Sequence, residues 1–192
     1  MALCATSCAV DVPIFPNAGC EIETRKSGIQ YLGLIKCDYV FSDITDPSEW
    51  ATAVAANQVH ITTEGIGAKP ETTKVSQKLS SCRPEQKVGE THTVTFRTYG
   101  VDNATNTDYA IHNSAKNNLG AYRLFWVGCD GLFYVNPDYA SESAGFQVSE
   151  NKWDYIMNED SNEPAFYDIE VSFDFIGIVG GIALPGVLDD LA

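Results

Sequence analysis

The sequence predicts a mainly β protein: an antiparallel β-sandwich, jelly-roll-like or Ig-like, with two short helices and extended terminal arms. Three observations predict it. Runs rich in Val, Ile, Thr, Phe and Tyr alternate with polar residues, most cleanly in Thr91-His92-Thr93-Val94-Thr95-Phe96-Arg97-Thr98-Tyr99. Tyr122 to Gly128 and Leu132 to Val135 are aromatic and β-branched runs around Asp130-Gly131, a pair that supplies the positive φ angles of a tight type I′ hairpin turn. Only two segments carry helix signals, and both are short.

The 192 residues suit one domain with arms: an extended arm over 1–19, a β domain over 20–178 and an apolar tail over 179–192. A hydrophobic share of 44% supports a core of ordinary size. The formal charge of −14, with no basic run, argues against direct nucleic-acid binding, because neutralising phosphates takes clustered Lys and Arg. No apolar run reaches the length of a membrane span. The start lacks a positive leader and Asp11 closes its apolar run, so no secretory signal is expected. The six cysteines (4, 8, 20, 37, 82 and 129) could form disulfides, but free, mostly buried thiols are the expected state without an export signal. Their irregular spacing does not match a zinc ribbon or finger.

In the arm, Pro13, Pro16 and Gly19 exclude a helix, while Val12, Ile14 and Phe15 offer apolar anchors. Strands are expected over 20–29 and 31–41, the second with Leu34, Ile35, Tyr39 and Val40 as core candidates. Asp46-Pro47-Ser48-Glu49-Trp50 is the best helix start: Asp46 caps, Pro47 is pre-set at the first helical position, and Glu49 completes a capping box. The Ala-rich helix runs to Asn57, with Trp50 and Val54 on the face that seats on the sheet. Val59 to Thr63 is a short strand, Gly65 to Pro70 a loop, and Thr72 to Leu79 and Thr91 to Tyr99 strands, the latter with Val94, Phe96 and Thr98 facing one side. A second helix is expected over 106–118. After the hairpin, the polar stretch 137–163 holds two strand-like islands, Phe146-Gln147-Val148 and Trp153 to Met157. In the strand over 165–178, Tyr167, Ile169, Val171, Phe173 and Phe175 face one side and Asp168, Glu170, Ser172 and Asp174 the other, the pattern of a sheet covered on one face.

The tail is apolar but broken by Gly180-Gly181 and Pro185-Gly186, so it cannot be one helix. It either closes its own sheet edge or lies across a neighbouring subunit. The candidate assembly residues are Val12, Ile14 and Phe15 in the arm, and Ile178, Val179, Ile182, Leu184, Val187 and Leu188 in the tail.

No catalytic, cofactor-binding or metal-binding set emerges. Cys129 with His92 could be drawn as a thiol nucleophile and base, but no elbow motif surrounds Cys129, and an acidic chain does not favour a thiolate. Acid pairs such as Asp102 with Asp108 and Glu159 with Asp160 are expected by chance among 26 acids. Trp126, Tyr134, Trp153 and Tyr155 could stack on sugars, although strand aromatics more often form cores or cross-strand pairs.

Three stretches resemble virion proteins of crAss-like tailed phages that infect Bacteroidetes hosts. They are Ser48-Glu49-Trp50-Ala51-Thr52-Ala53-Val54, the Leu79-Ser80-Ser81-Cys82 segment leading to Thr91 through Phe96, and Arg123 through Gly131, within a likeness spanning roughly residues 20–175. The resemblance implies a non-enzymatic structural component of the capsid or portal–tail junction, assembled in the host bacterial cytoplasm. Its implied partners are copies of itself and other virion proteins, with no membrane and no small-molecule substrate. A receptor- or glycan-binding β-sandwich is the alternative expectation.

Overall fold

A computed structural model describes residues 28–69, 72–77, 86–99, 118–139, 143–157, 165–175 and 179–187. The arm over 1–19, the expected strand at 20–27 and the expected helix over 106–118, apart from Asn118, lie outside these residues. In chain order the elements are β1 (Ile29–Lys36), α1 (Pro47–Ala55), β2 (Val59–Ile61), β3 (Gly65–Ala68), β4 (Thr73–Gln77), β5 (Gln86–Thr98), β6 (Tyr122–Gly128), β7 (Leu132–Tyr134), β8 (Phe146–Ile156), β9 (Phe166–Asp174) and β10 (Gly181–Ala183).

Among the described residues all strand pairings are antiparallel, as expected, but the sheet closes on itself. The path β6-β8-β9-β5-β3-β1 returns to β6 through the long β1–β6 ladder, from Ile29↔Gly128 to Lys36↔Tyr122. These strands form a six-stranded barrel in place of two facing sheets. Alternation marks one face as apolar in a barrel and a sandwich alike, and this one long-range ladder separates them. The β1–β3 and β6–β8 contacts are brief, Ile29↔Gly67 in the first and Arg123↔Gln147 with Leu124↔Phe146 in the second. Offsets of this kind follow from the strand tilt that barrel closure requires. Off the ring, β2 pairs with β1, β4 with β5, and β7 with β6, while β10 pairs with β7.

Two cores follow from the alternation. Leu32, Leu34, Val94, Phe96, Leu124, Trp126, Phe146, Trp153, Ile169, Val171 and Phe173 fill the barrel. A second core on its outer surface holds Ile35, Phe41, Trp50, Ala53, Phe125, Val127, Phe133, Leu184 and Val187. Strand β6 therefore serves both, with Leu124 and Trp126 inward and Phe125 and Val127 outward. The expected inward rows of β5 (Val94, Phe96, Thr98) and β9 (Tyr167, Ile169, Val171, Phe173) are buried, while Phe175, expected to extend the second row, lies just past β9 and is half-buried against the barrel core. Leu34 and Ile35 are buried too, in different cores, whereas Val40 is exposed rather than a core residue.

Helix α1 seats on the second core. Asp46 Oδ1 accepts from the Ser48 backbone N–H at 2.9 Å, as an N-cap should. Glu49 does not complete a capping box. Its carboxylate accepts from the Ser42 and Asp43 N–H groups at 2.7 and 2.8 Å, while the Asp46 N–H donates to the Asp43 carbonyl. Trp50 is fully buried and its indole N–H donates to the Ile44 carbonyl at 2.8 Å. Asn57, at φ 55°, ends the helix in the left-handed region, where Asn is tolerated better than most residues.

Three local expectations change. The segment expected as a loop at 65–70 contains strand β3. Its glycines let it lie against β5, since a Cβ on Gly67 would come within 2.7 Å of the Thr95 carbonyl and 2.8 Å of the Phe96 ring. The two islands after the hairpin are one strand, β8, with a bulge between Val148 and Glu150. The hairpin forms, but its turn is not type I′. Gly131 (φ 75°) is left-handed, Asp130 is not, and the Gly131 N–H donates to the Gly128 carbonyl. That is a type I turn followed by a glycine bulge.

Candidate functional site

The described part of the tail, residues 179–187, packs on its own domain. Strand β10 adds to the edge of β7 through Gly181↔Tyr134, Ile182↔Phe133 and Ala183↔Leu132. Leu184 and Val187 are buried in the second core, and Val179 and Ile182 are half-buried against the first and second cores respectively. Of the candidate assembly residues, Leu184 and Val187 therefore cannot reach a neighbour, because their own chain covers them. Val12, Ile14, Phe15, Ile178 and Leu188 lie outside the described residues.

Of the strand aromatics that could stack on sugars, most instead form core and cross-strand pairs, the arrangement the sequence favours. Trp126 and Trp153 are 2% and 8% exposed inside the barrel, and the Tyr134 ring stacks on Trp126 at 5.4 Å across the β6–β7 pair. Tyr155, 46% exposed at the end of β8, is the one member of that set left open to solvent.

His92 is buried, with its ring nitrogens 3.1 Å from the Thr72 hydroxyl and 3.0 Å from the Phe175 carbonyl, and it stacks on Phe173. Both nitrogens are engaged, so neither serves Cys129. Cys129 and Cys37 are free and exposed, contrary to the expected burial of the thiols. Cys4, Cys8, Cys20 and Cys82, with the acid pairs Asp102–Asp108 and Glu159–Asp160, lie outside the described residues. Among the described residues no three His, Cys, Asp or Glu side chains gather as metal ligands would, and no helix is long and apolar enough to cross a membrane.

Surface recesses among the described residues include three of note. One of about 230 Å³ lies over β3, β5 and β9, lined by Ile66, Thr95, Arg97, Tyr99 and Asp168. Arg97 there sits 4.0 Å over the Phe166 ring and 3.6 Å from Asp168. Another, of about 450 Å³, lies between the end of α1 and β1–β2, lined by Leu34, Val54, Asn57, Val59 and Tyr122.

The third, about 430 Å³, is the most polar of these three in its lining residues. It lies where the end of β1, the start of β6 and the segment entering β8 meet, and Arg123, Asn136, Ser143 and Gln147 line it with Cys37. Arg123 holds the outward position preceding Phe125 and Val127, and pairs with Ile35 on β1 and Gln147 on β8. Gly145 faces its backbone so closely that a Cβ there would strike the Arg123 Cβ and come within 2.8 Å of its carbonyl carbon. Arg123 Nη1 and Ser143 Oγ are both buried and have no hydrogen-bond partner among the described residues. A buried polar group without a partner costs about 1–3 kcal/mol, and a charged one more. Sequence reasoning missed this cleft. Its one signal was an Arg at the outward parity of an otherwise apolar strand row.

No protein-family model, curated protein or solved structure matches the chain.

Proposed function

We propose that this chain is a non-enzymatic structural component of a phage virion, assembling through subunit contacts at the capsid or portal–tail junction. Besides the sequence resemblance, one observation supports the reading: among the described residues, most of one edge of β8 has no strand partner. Of its 11 residues only Phe146 and Gln147 pair with β6, so the remaining edge has no strand partner among the described residues. That edge leads to exposed Tyr155 and Met157, the latter 72% exposed. An open edge is a template for pairing with another chain. Glu150, Lys152 and Asp154 on the same strand carry charges of the kind that discourage indiscriminate pairing.

Mass spectrometry of purified virus particles should find the chain among their proteins, and its absence ends the virion reading. Sedimentation of the purified chain should give a discrete oligomer. The double variant Tyr155→Asp/Met157→Asp should weaken it about tenfold or more while leaving the fold intact, because both side chains are exposed. A monomer at every concentration counts against self-assembly.

A further inference from the structure

We propose that the cleft around Arg123 and Ser143 binds a carboxylate. The inference stands apart from assembly through β8, since none of the cleft's lining residues belongs to the open part of that edge.

The donors are in place and lack an acceptor. Arg123 Nη1 is enclosed with its N–H groups unmatched, and the Ser143 hydroxyl, on a residue 6% exposed, is unmatched in the same cleft. Asn136 uses its amide oxygen to accept from the Asp138 N–H at 3.2 Å, which leaves its amide N–H groups to donate. Gln147 adds a further amide. No acidic side chain of the described residues lines the cleft, so the guanidinium has no internal counter-ion there. A guanidinium beside a hydroxyl and amide donors suits an oxygen anion, which accepts and does not donate.

Charge narrows the ligand class. One arginine supplies one positive charge, and the whole chain carries −14. A dianionic phosphate would keep uncompensated charge in a negative field, whereas a carboxylate is neutralised by the single guanidinium and matches its planar fork. The carboxylate could belong to a small free acid or to the side chain of a polypeptide. The recognising chemistry is the same.

The test is an NMR titration of the full chain, following the Arg123 side-chain N–H and the Ser143 and Gly145 amides. The probes are acetate, for the free acid, and N-acetyl-glutamate-N′-methylamide, for a polypeptide side chain. Acetamide and sodium chloride at matched ionic strength are the controls. Saturable shifts are expected with at least one carboxylate and with neither control. Tighter binding of the backbone-bearing probe identifies a polypeptide source, and preference for acetate identifies a small acid. Arg123→Met should weaken binding about tenfold or more, and Ser143→Ala by several-fold. Because Arg123 packs against Gly145, Ser143→Ala also serves as the variant that keeps the fold if Arg123→Met does not. Absence of saturable shifts with both carboxylates overturns the proposal, as do equal shifts with chloride or binding unchanged in Ser143→Ala.

Discussion

The Phe125 ring lies across Gly33, its direct cross-strand partner between β1 and β6, in the space a Cβ on residue 33 would occupy. The ring cannot step aside. It is fully buried, 5.5 Å from Trp50 and stacked on Phe133. The glycine thus lets β1 take part in both the barrel ladder and the second core. Gly33→Ala should destabilise the protein by about 1–3 kcal/mol, the usual cost of overpacking. A lower urea midpoint with an unchanged slope would show it, and an unchanged midpoint would mean the ring relaxes freely.

The tail is a structural element of its own domain. Truncation after residue 178 removes β10 with Leu184 and Val187, and uncovers the edge of β7. The truncated chain should unfold at a clearly lower temperature than the full chain. Leu184→Ala alone should cost about 2–5 kcal/mol, as buried Leu-to-Ala changes do. Equal melting temperatures for the full and truncated chains would show that residues 179–187 add nothing to the core.

The second core is organised by Trp50, which touches Phe41, Phe125 and Phe133 at centroid distances of 4.5, 5.5 and 5.4 Å. Trp50→Ala should cost about 3–5 kcal/mol. Trp50→Phe should cost less but more than zero, because the Ile44 carbonyl loses its indole donor. Chemical denaturation of both variants gives the order directly.

Much of this was legible in the residues, and the failures have physical causes. The inward rows of β5 and β9, the Asp46 cap and the 121–135 hairpin follow from period and local chemistry, and they stand in the fold. β8 looked like two pieces because Phe146 and Val148 share one parity and Trp153 the other. The bulge at Val148/Glu150 absorbs that single-residue slip. β3 looked like a loop because its glycines carry no alternation, and they are there to admit Phe96 and the β5 backbone. Barrel closure and the direction of the tail depend on which distant strands meet, which no local pattern encodes. The Arg123 cleft was hidden for the same reason, since its lining comes from four separate stretches of chain.

Tyr39 offers a pH-dependent check on how the loop before α1 packs on the second core. Its phenol is pushed above the ordinary value of 10.0, first by burial, then by the negative charge of Glu49 and a hydrogen bond to that carboxylate. Glu49 is itself held against the Ser42 and Asp43 N–H groups, so the repulsion has a fixed source. Raising this value in the folded state means the neutral phenol is preferred there. The associated stability is complete below pH 10.0, the unfolded value, and is lost as pH rises through the folded one. The phenolate absorbance of the wild type minus that of Tyr39→Phe should therefore titrate above 10.0. Glu49→Gln removes the charge but keeps an acceptor, and it should move that midpoint down toward 10.0 without abolishing the burial contribution. A Tyr39 midpoint at or below 10.0 in the wild type would mean that the Tyr39–Glu49 contact does not persist in solution.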